Sequence, residues 1–208
     1  MGDFDIFMIS GLGADSRAFR NLSINSTKIT YIDWIEPLIN ETIQEYAFRI
    51  SEPVRKAENP LLIGVSLGGI ISMEIKKFLP DTPVILISSM KDKSEKPFLL
   101  RFGTVVPLHK FIPPRFMMKS TVIVRSIFGK LDKPDLAVFN DMFMKTSPTF
   151  LRWGMSQAIN WKGSDKQAKV FHLHGTKDRL FPWRRIKNPT LGLMDKSGGQ
   201  NLCIPLWA

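Results

Sequence analysis

Short apolar runs and amphipathic stretches take turns along the first part of the chain. Asp5-Ile6-Phe7-Met8-Ile9-Ser10 is apolar at consecutive positions and stops at Gly11-Leu12-Gly13, which predicts a buried strand ending in a glycine turn. A short helix is expected from about Ser16 to Leu22, and Ile29 to Trp34 reads as a second strand. Between Glu41 and Lys56, Ile43, Ala47, Ile50 and Val54 fall on one helical face, with Pro53 placed to kink or end the helix. Leu61 to Val65 is the third strand, Ile70 to Leu79 a helix, and Pro83 to Ser88 the fourth strand. Strands apolar on both faces that alternate with helices imply a mostly parallel sheet flanked by helices, an α/β fold.

The alternation breaks near Met90. From Lys91 to Lys166 no strand of the same quality appears. Prolines (Pro97, Pro107, Pro113, Pro114), basic residues and helical stretches rich in Phe and Met replace it. This part reads as a helical insertion at 91–166 within a single domain spanning 1–208. The alternation resumes with a fifth strand, Ala168 to His174.

Bulk properties narrow the classes. A chain of 208 residues suits one domain with a full core, and 44% hydrophobic against 23% charged residues fits a globular protein in water. No apolar run approaches the length that crosses a bilayer. The acidic start, Met1-Gly2-Asp3-Phe4-Asp5, leads straight into a strand, unlike a secretory leader. Gly2 follows Met1, but Ile6 stands where myristoylation needs a hydroxyl residue. The one cysteine, Cys203, has no internal disulfide partner, so a reducing compartment, the cytoplasm, is expected. A net charge of +10 raises nucleic acid or an anionic membrane as partners. No zinc-ligand spacing, RNA-binding signature or dense basic tract accompanies it, so a solvated basic surface and no nucleic-acid partner are expected. No ligand cluster calls for a metal or a cofactor.

Gly64-Val65-Ser66-Leu67-Gly68 lies between the third strand and the helix that follows. A G-x-S-x-G at such a junction is the pattern of a nucleophile elbow, a turn so tight that its flanks must lack side chains. Two further motifs end other strands. They are Ser10-Gly11-Leu12-Gly13-Ala14-Asp15 and the run from His174-Gly175 through Asp178 to Pro182. In a parallel sheet the carboxyl ends of the strands share one edge, so the three loops converge.

This set resembles the α/β-hydrolase superfamily, in its small esterase-like branch with a helical cap, over roughly Phe4 to Thr190. The resemblance implies Ser66 as nucleophile and Asp178 as the acid that orients a histidine. It implies the backbone N–H groups of Leu12 and Leu67 as the oxyanion hole, and a small or medium acyl ester as substrate. The bland reading of Asp178 is a cap for a helix starting near Pro182. Asp92 is a weaker candidate acid, and Asp15 and Asp33 read as loop or capping residues.

One part of the pattern is missing. The family order is serine, acid, histidine, yet the chain's three histidines, His109, His172 and His174, all precede Asp178. Where a glycine-histidine pair is expected the chain has Ser197-Gly198-Gly199-Gln200-Asn201, and Gln200 can hydrogen-bond but cannot serve as a base. Losing the histidine of such a triad costs on the order of a million-fold in kcat. Leu191-Gly192-Leu193-Met194 can be encoded so that reading two bases later gives Trp-Ile-Asp, a plausible last strand, so a frameshift is one origin for the tail. Two functions follow: a serine esterase working through an acyl-enzyme, or a non-catalytic relative that binds a small ligand or a partner.

Overall fold

Six strands form one sheet in the computed structural model, which describes residues 4–24, 28–105, 133–165, 168–175, 178, 180–187 and 190–193. They are β1 (Asp5–Ile9), β2 (Ile29–Ile32), β3 (Pro60–Val65), β4 (Val84–Ile87), β5 (Val170–Gly175) and β6 (Leu191–Leu193). The order across the sheet is β2-β1-β3-β4-β5-β6, and every neighbouring pair is parallel. Side chains alternate between faces along each strand. Phe7, Ile9 and Leu62 join one buried cluster with Tyr46, Ala47, Ile70 and Ile71. Ile6, Met8, Ile63 and Val65 join the other, with Phe19, Phe139, Met142 and Phe143. This two-sided burial is why the strands read as unbroken apolar runs.

The helices explain themselves locally. α1 (Ile43–Ile50) starts on a capping box: Glu45 N–H donates to Thr42 Oγ1, and Thr42 N–H donates back to the Glu45 carboxylate. The expected helix over 41–56 is two helices, because the chain turns at Ser51 and restarts as α2 (Glu52–Lys56), with Pro53 in its first turn. α3 (Leu67–Phe78) begins directly after Ser66, three residues before the apolar pattern suggested. The second strand stops at Ile32, which leaves Trp34 in the loop beyond it. The stretch after Asp15 is a short 3-10 helix, Ser16–Phe19, with Asp15 as its cap.

Within the inserted region, α4 (Phe98–Val105), α5 (Lys133–Lys145) and α6 (Pro148–Asn160) are described. α6 opens on Ser147, whose hydroxyl accepts from the N–H groups of Thr149 and Phe150. Its adjacent residues Phe150 and Leu151 enter different clusters, one from each face of the sheet, so α6 spans the two cores. Among the described residues no helix is long and apolar enough to cross a membrane.

Candidate active site

The bend after β3 is shaped by what glycine lacks. A Cβ placed on Gly64 would stand 2.5 Å from the Gly68 carbonyl oxygen, and one on Gly68 would drive into the carbonyl oxygens of Ile9 and Ser10. Both are backbone obstacles that cannot step aside. Ser66 between them sits at φ 51°, ψ −114°, a region that non-glycine residues rarely occupy and that stores strain. Its own backbone is tied on both sides. Its N–H donates to the Ile87 carbonyl at 3.0 Å, and its carbonyl accepts from the Ser89 hydroxyl at 2.7 Å. A serine at a helix N-terminus ordinarily caps it with its hydroxyl. Ser66 makes no such bond, and its half-buried hydroxyl has no hydrogen-bond partner among the described residues.

The glycine turn after β1 stands next to it. A Cβ on Gly11 would lie 3.5 Å from Ser66 Cβ. The turn is closed by Ala14 N–H on the Gly11 carbonyl (3.1 Å) and by the Ser10 hydroxyl on the Ala14 carbonyl (2.7 Å). The turn's Leu12 and the helix-starting Leu67 are brought together by α6. A Cβ on Gly154 would come 2.7 Å from Leu12 Cδ1 and 2.9 Å from Leu67 Cδ2. Gly13, at φ 79°, is covered in the same way by Phe143 of α5. The inserted helices therefore bear on the residues flanking Ser66. α6 is pinned at its far end by Lys96 Nζ on the Ile159 carbonyl (2.7 Å), and just beyond it Trp161 Nε1–H donates to Glu74 of α3 (2.5 Å).

Asp178 lies beyond β5, at the same carboxyl edge of the sheet, and is buried. Its Oδ1 accepts the N–H groups of Leu180 (2.9 Å) and Phe181 (2.8 Å), the capping-type contacts of the bland reading. Its Oδ2 is buried with no hydrogen-bond donor among the described residues. Burial pushes the carboxyl above its ordinary value, against the Phe181 N–H, His174 and the Ser88 side chain beside it, which favour the ionised form. His174 Nε2 is 3.4 Å from Oδ2 and 2.5 Å from the Phe181 carbonyl oxygen. A carbonyl only accepts, so Nε2 carries the proton and donates it there. That nitrogen holds the acid loop in place and is not available as a base.

His172 is also buried, and burial, with Lys91 and His174 nearby, pushes its pKa down to about 3. Its Nε2 lies 3.9 Å from Glu95 Oε2, and the neutral ring forms no ion pair there. His109, the tail from 194 onward with Gln200, and the apolar residues of 106–132 fall outside the described residues. Asp15 and Asp92 cap short 3-10 helices, accepting from Arg17 N–H and Ser94 N–H, as loop residues do. Leu191–Leu193 form β6 on β5 as they stand in the sequence.

Solved structures share this architecture. A hydrolase from Oleispira antarctica superposes with a TM-score of 0.70 at 12% identity, over 93% of this chain and 84% of that one. An esterase from Exiguobacterium antarcticum gives 0.62 at 16%, over 88% and 78%. An N-acyl homoserine lactonase gives 0.62 at 14%, over 94% and 81%. The chain has the α/β-hydrolase fold. No protein-family model and no curated protein matches the sequence. In this fold the three strand-end motifs lie where the sequence placed them, at one edge. Trp34, Ser89, Gly154 and Glu95, which brace that edge, carried no local signal. Each acts through a partner distant in sequence.

Proposed function

We propose that the chain is a serine hydrolase of carboxylic esters, with Ser66 as nucleophile and a small or medium acyl group as its substrate class. The observation that carries this is Ser66 itself. It is held at positive φ by flanking glycines, with its hydroxyl unused, beside the Gly11 turn and at the sheet edge that also bears Asp178. Esterases and a lactonase among the structural neighbours support ester chemistry. Ser66 Oγ adds to the carbonyl carbon, its proton leaves to a base, and the resulting oxyanion is met by the N–H groups of Leu12 and Leu67. The alcohol departs, and water then releases the acid from Ser66. In this reading α4, α5 and α6 belong to a cap whose Phe and Met side chains shape the acyl pocket.

No histidine follows Asp178 in these 208 residues, and His172 and His174 are held elsewhere. His109 lies outside the described residues, and no histidine of the described residues is free to serve Ser66. In this reading the base is supplied from outside, and activated esters with good leaving groups are favoured. With p-nitrophenyl butyrate the chain gives a burst of one p-nitrophenolate per chain and slow turnover afterwards, and added imidazole speeds both phases. Ser66→Ala abolishes the burst. An equal burst from that variant removes Ser66 as nucleophile. A folded wild-type chain without a burst, with or without imidazole, favours the second reading, a binding protein built on the same pocket. The missing histidine supports that reading.

A further inference from the structure

The loop that β2 leaves behind reaches the Ser66 site through one residue. Trp34 Nε1–H donates to the Gly11 carbonyl oxygen at 3.1 Å. The indole is half-buried and packs on Phe150 of α6, with ring centroids 4.9 Å apart, and on Tyr46 of α1 at 6.4 Å. The Tyr46 hydroxyl in turn donates to the Ile35 carbonyl (2.8 Å) and accepts the Ile35 N–H (3.1 Å), which fixes the backbone next to Trp34. The indole is thus a rigid donor held from two helices.

The carbonyl it grips belongs to the peptide unit that ends in Leu12 N–H. That unit is planar and trans, so its C=O and N–H point in opposite directions and turn together. Gly11 supplies no side chain to restrain the rotation. Without the indole, the Gly11 carbonyl keeps, among the described residues, the Ala14 N–H. We propose that Trp34 is a positioning residue: by holding the Gly11 carbonyl it aims the Leu12 N–H at the oxygen that turns negative when Ser66 adds to a carbonyl group. The bond also polarises the peptide and makes Leu12 N–H a stronger donor. α6 takes part, since Phe150 seats the indole while Gly154 receives the Leu12 side chain. The proposal rests on Ser66 as nucleophile.

Trp34→Phe keeps the ring and removes the donor. An absent oxyanion donor costs roughly 100- to 1,000-fold, and a present but misaimed one less. The burst rate constant at saturating p-nitrophenyl butyrate is expected to fall about tenfold. The half-saturating concentration stays within about twofold of wild type, because ground-state binding does not use the oxyanion hole. A wild-type burst rate in a folded Trp34→Phe protein overturns the proposal, as does an equal loss through weaker binding alone. A wild-type chain that gives no Ser66-dependent burst overturns the nucleophile reading and this inference with it. Should the variant not fold, the wild type supplies a second readout. The Trp34 indole N–H resonance shifts when butylboronic acid forms a tetrahedral anion on Ser66, and an unmoved resonance on adduct formation overturns the proposal.

Discussion

Two carboxylate–imidazole neighbours sit side by side on β5, and only one of them is finished. His172 and His174 are two residues apart, so their rings share a face of the sheet, with centroids 6.4 Å apart. Glu95 stands 3.9 Å from His172, and Asp178 stands 3.4 Å from His174. All four are buried. Glu95 gives both oxygens to the backbone. Oε2 accepts Lys91 N–H at 2.9 Å and Oε1 accepts Lys187 N–H at 2.8 Å, while Lys91 Nζ reaches the Lys187 carbonyl at 2.6 Å. That pair stitches the loop after β4 to the segment leading into β6. Asp178 gives Oδ1 to the backbone, and its buried Oδ2 has no hydrogen-bond partner among the described residues. A carboxylate saturated by amides is a structural rivet. One with a buried oxygen that no described residue meets costs stability and leaves room for another donor.

The contrast can be broken first at Glu95, where the largest effect is expected. Glu95→Ala orphans the buried N–H of Lys91 and the part-buried N–H of Lys187, and should cost about 2 kcal/mol in urea unfolding, at roughly 1–3 kcal/mol for a buried group left unsatisfied and less for one that water can reach. A loss under about 1 kcal/mol would mean the rivet is not one.

Asp178→Asn should do the opposite. Its oxygen still accepts from Leu180 and Phe181, and the buried charge is gone. The folded-state pKa of Asp178 is raised, so its contribution is present below the ordinary carboxylate value and lost as pH rises through the raised one. Removing it holds or raises the melting temperature at pH 7. Imidazole-stimulated burst rates should nevertheless fall about tenfold or more, since the acid no longer orients the base. A destabilised variant with unchanged burst rates would make Asp178 a second rivet.

Per pH unit, the smallest effect lies in the pH dependence. His172 has its folded pKa lowered to about 3, so the unfolded chain takes the proton first. Its stabilising contribution is complete above the ordinary histidine value of about 6.5 and is lost as pH falls from there toward 3, by on the order of 1 kcal/mol per pH unit. Glu95, with its pKa raised by burial, slopes the other way: its contribution is present below its ordinary value and lost as pH rises through the folded one. The difference in unfolding free energy between wild type and His172→Gln isolates the histidine, and it should shrink steadily between pH 7 and pH 5. A constant difference would remove the buried neutral imidazole from the account.

The sequence made the sheet and its edge legible because both are written locally. Consecutive apolar residues mark strands buried on two faces, and the glycines at 64 and 68 mark a bend that no side chain could follow. The early start of α3 was hidden because Leu67-Gly68-Gly69 reads as turn until the bend is seen to run directly into a helix. Asp178 carried two sequence readings, capping and orienting. In the structure Oδ1 makes the capping contacts, and Oδ2 meets no donor among the described residues. Trp34 on Gly11 and Glu95 on Lys187 were invisible because their partners lie 23 and 92 positions away. Tertiary packing alone joins them.

The claim that Ser66 is a reactive nucleophile is tested most directly by locating a covalent adduct. The folded chain is treated with a fluorophosphonate in the presence of imidazole, digested, and its peptides mapped by mass spectrometry. The account predicts one phosphonylated residue, Ser66, and no adduct after Ser66→Ala. An adduct on another residue, or none on a chain shown to be folded, would contradict it.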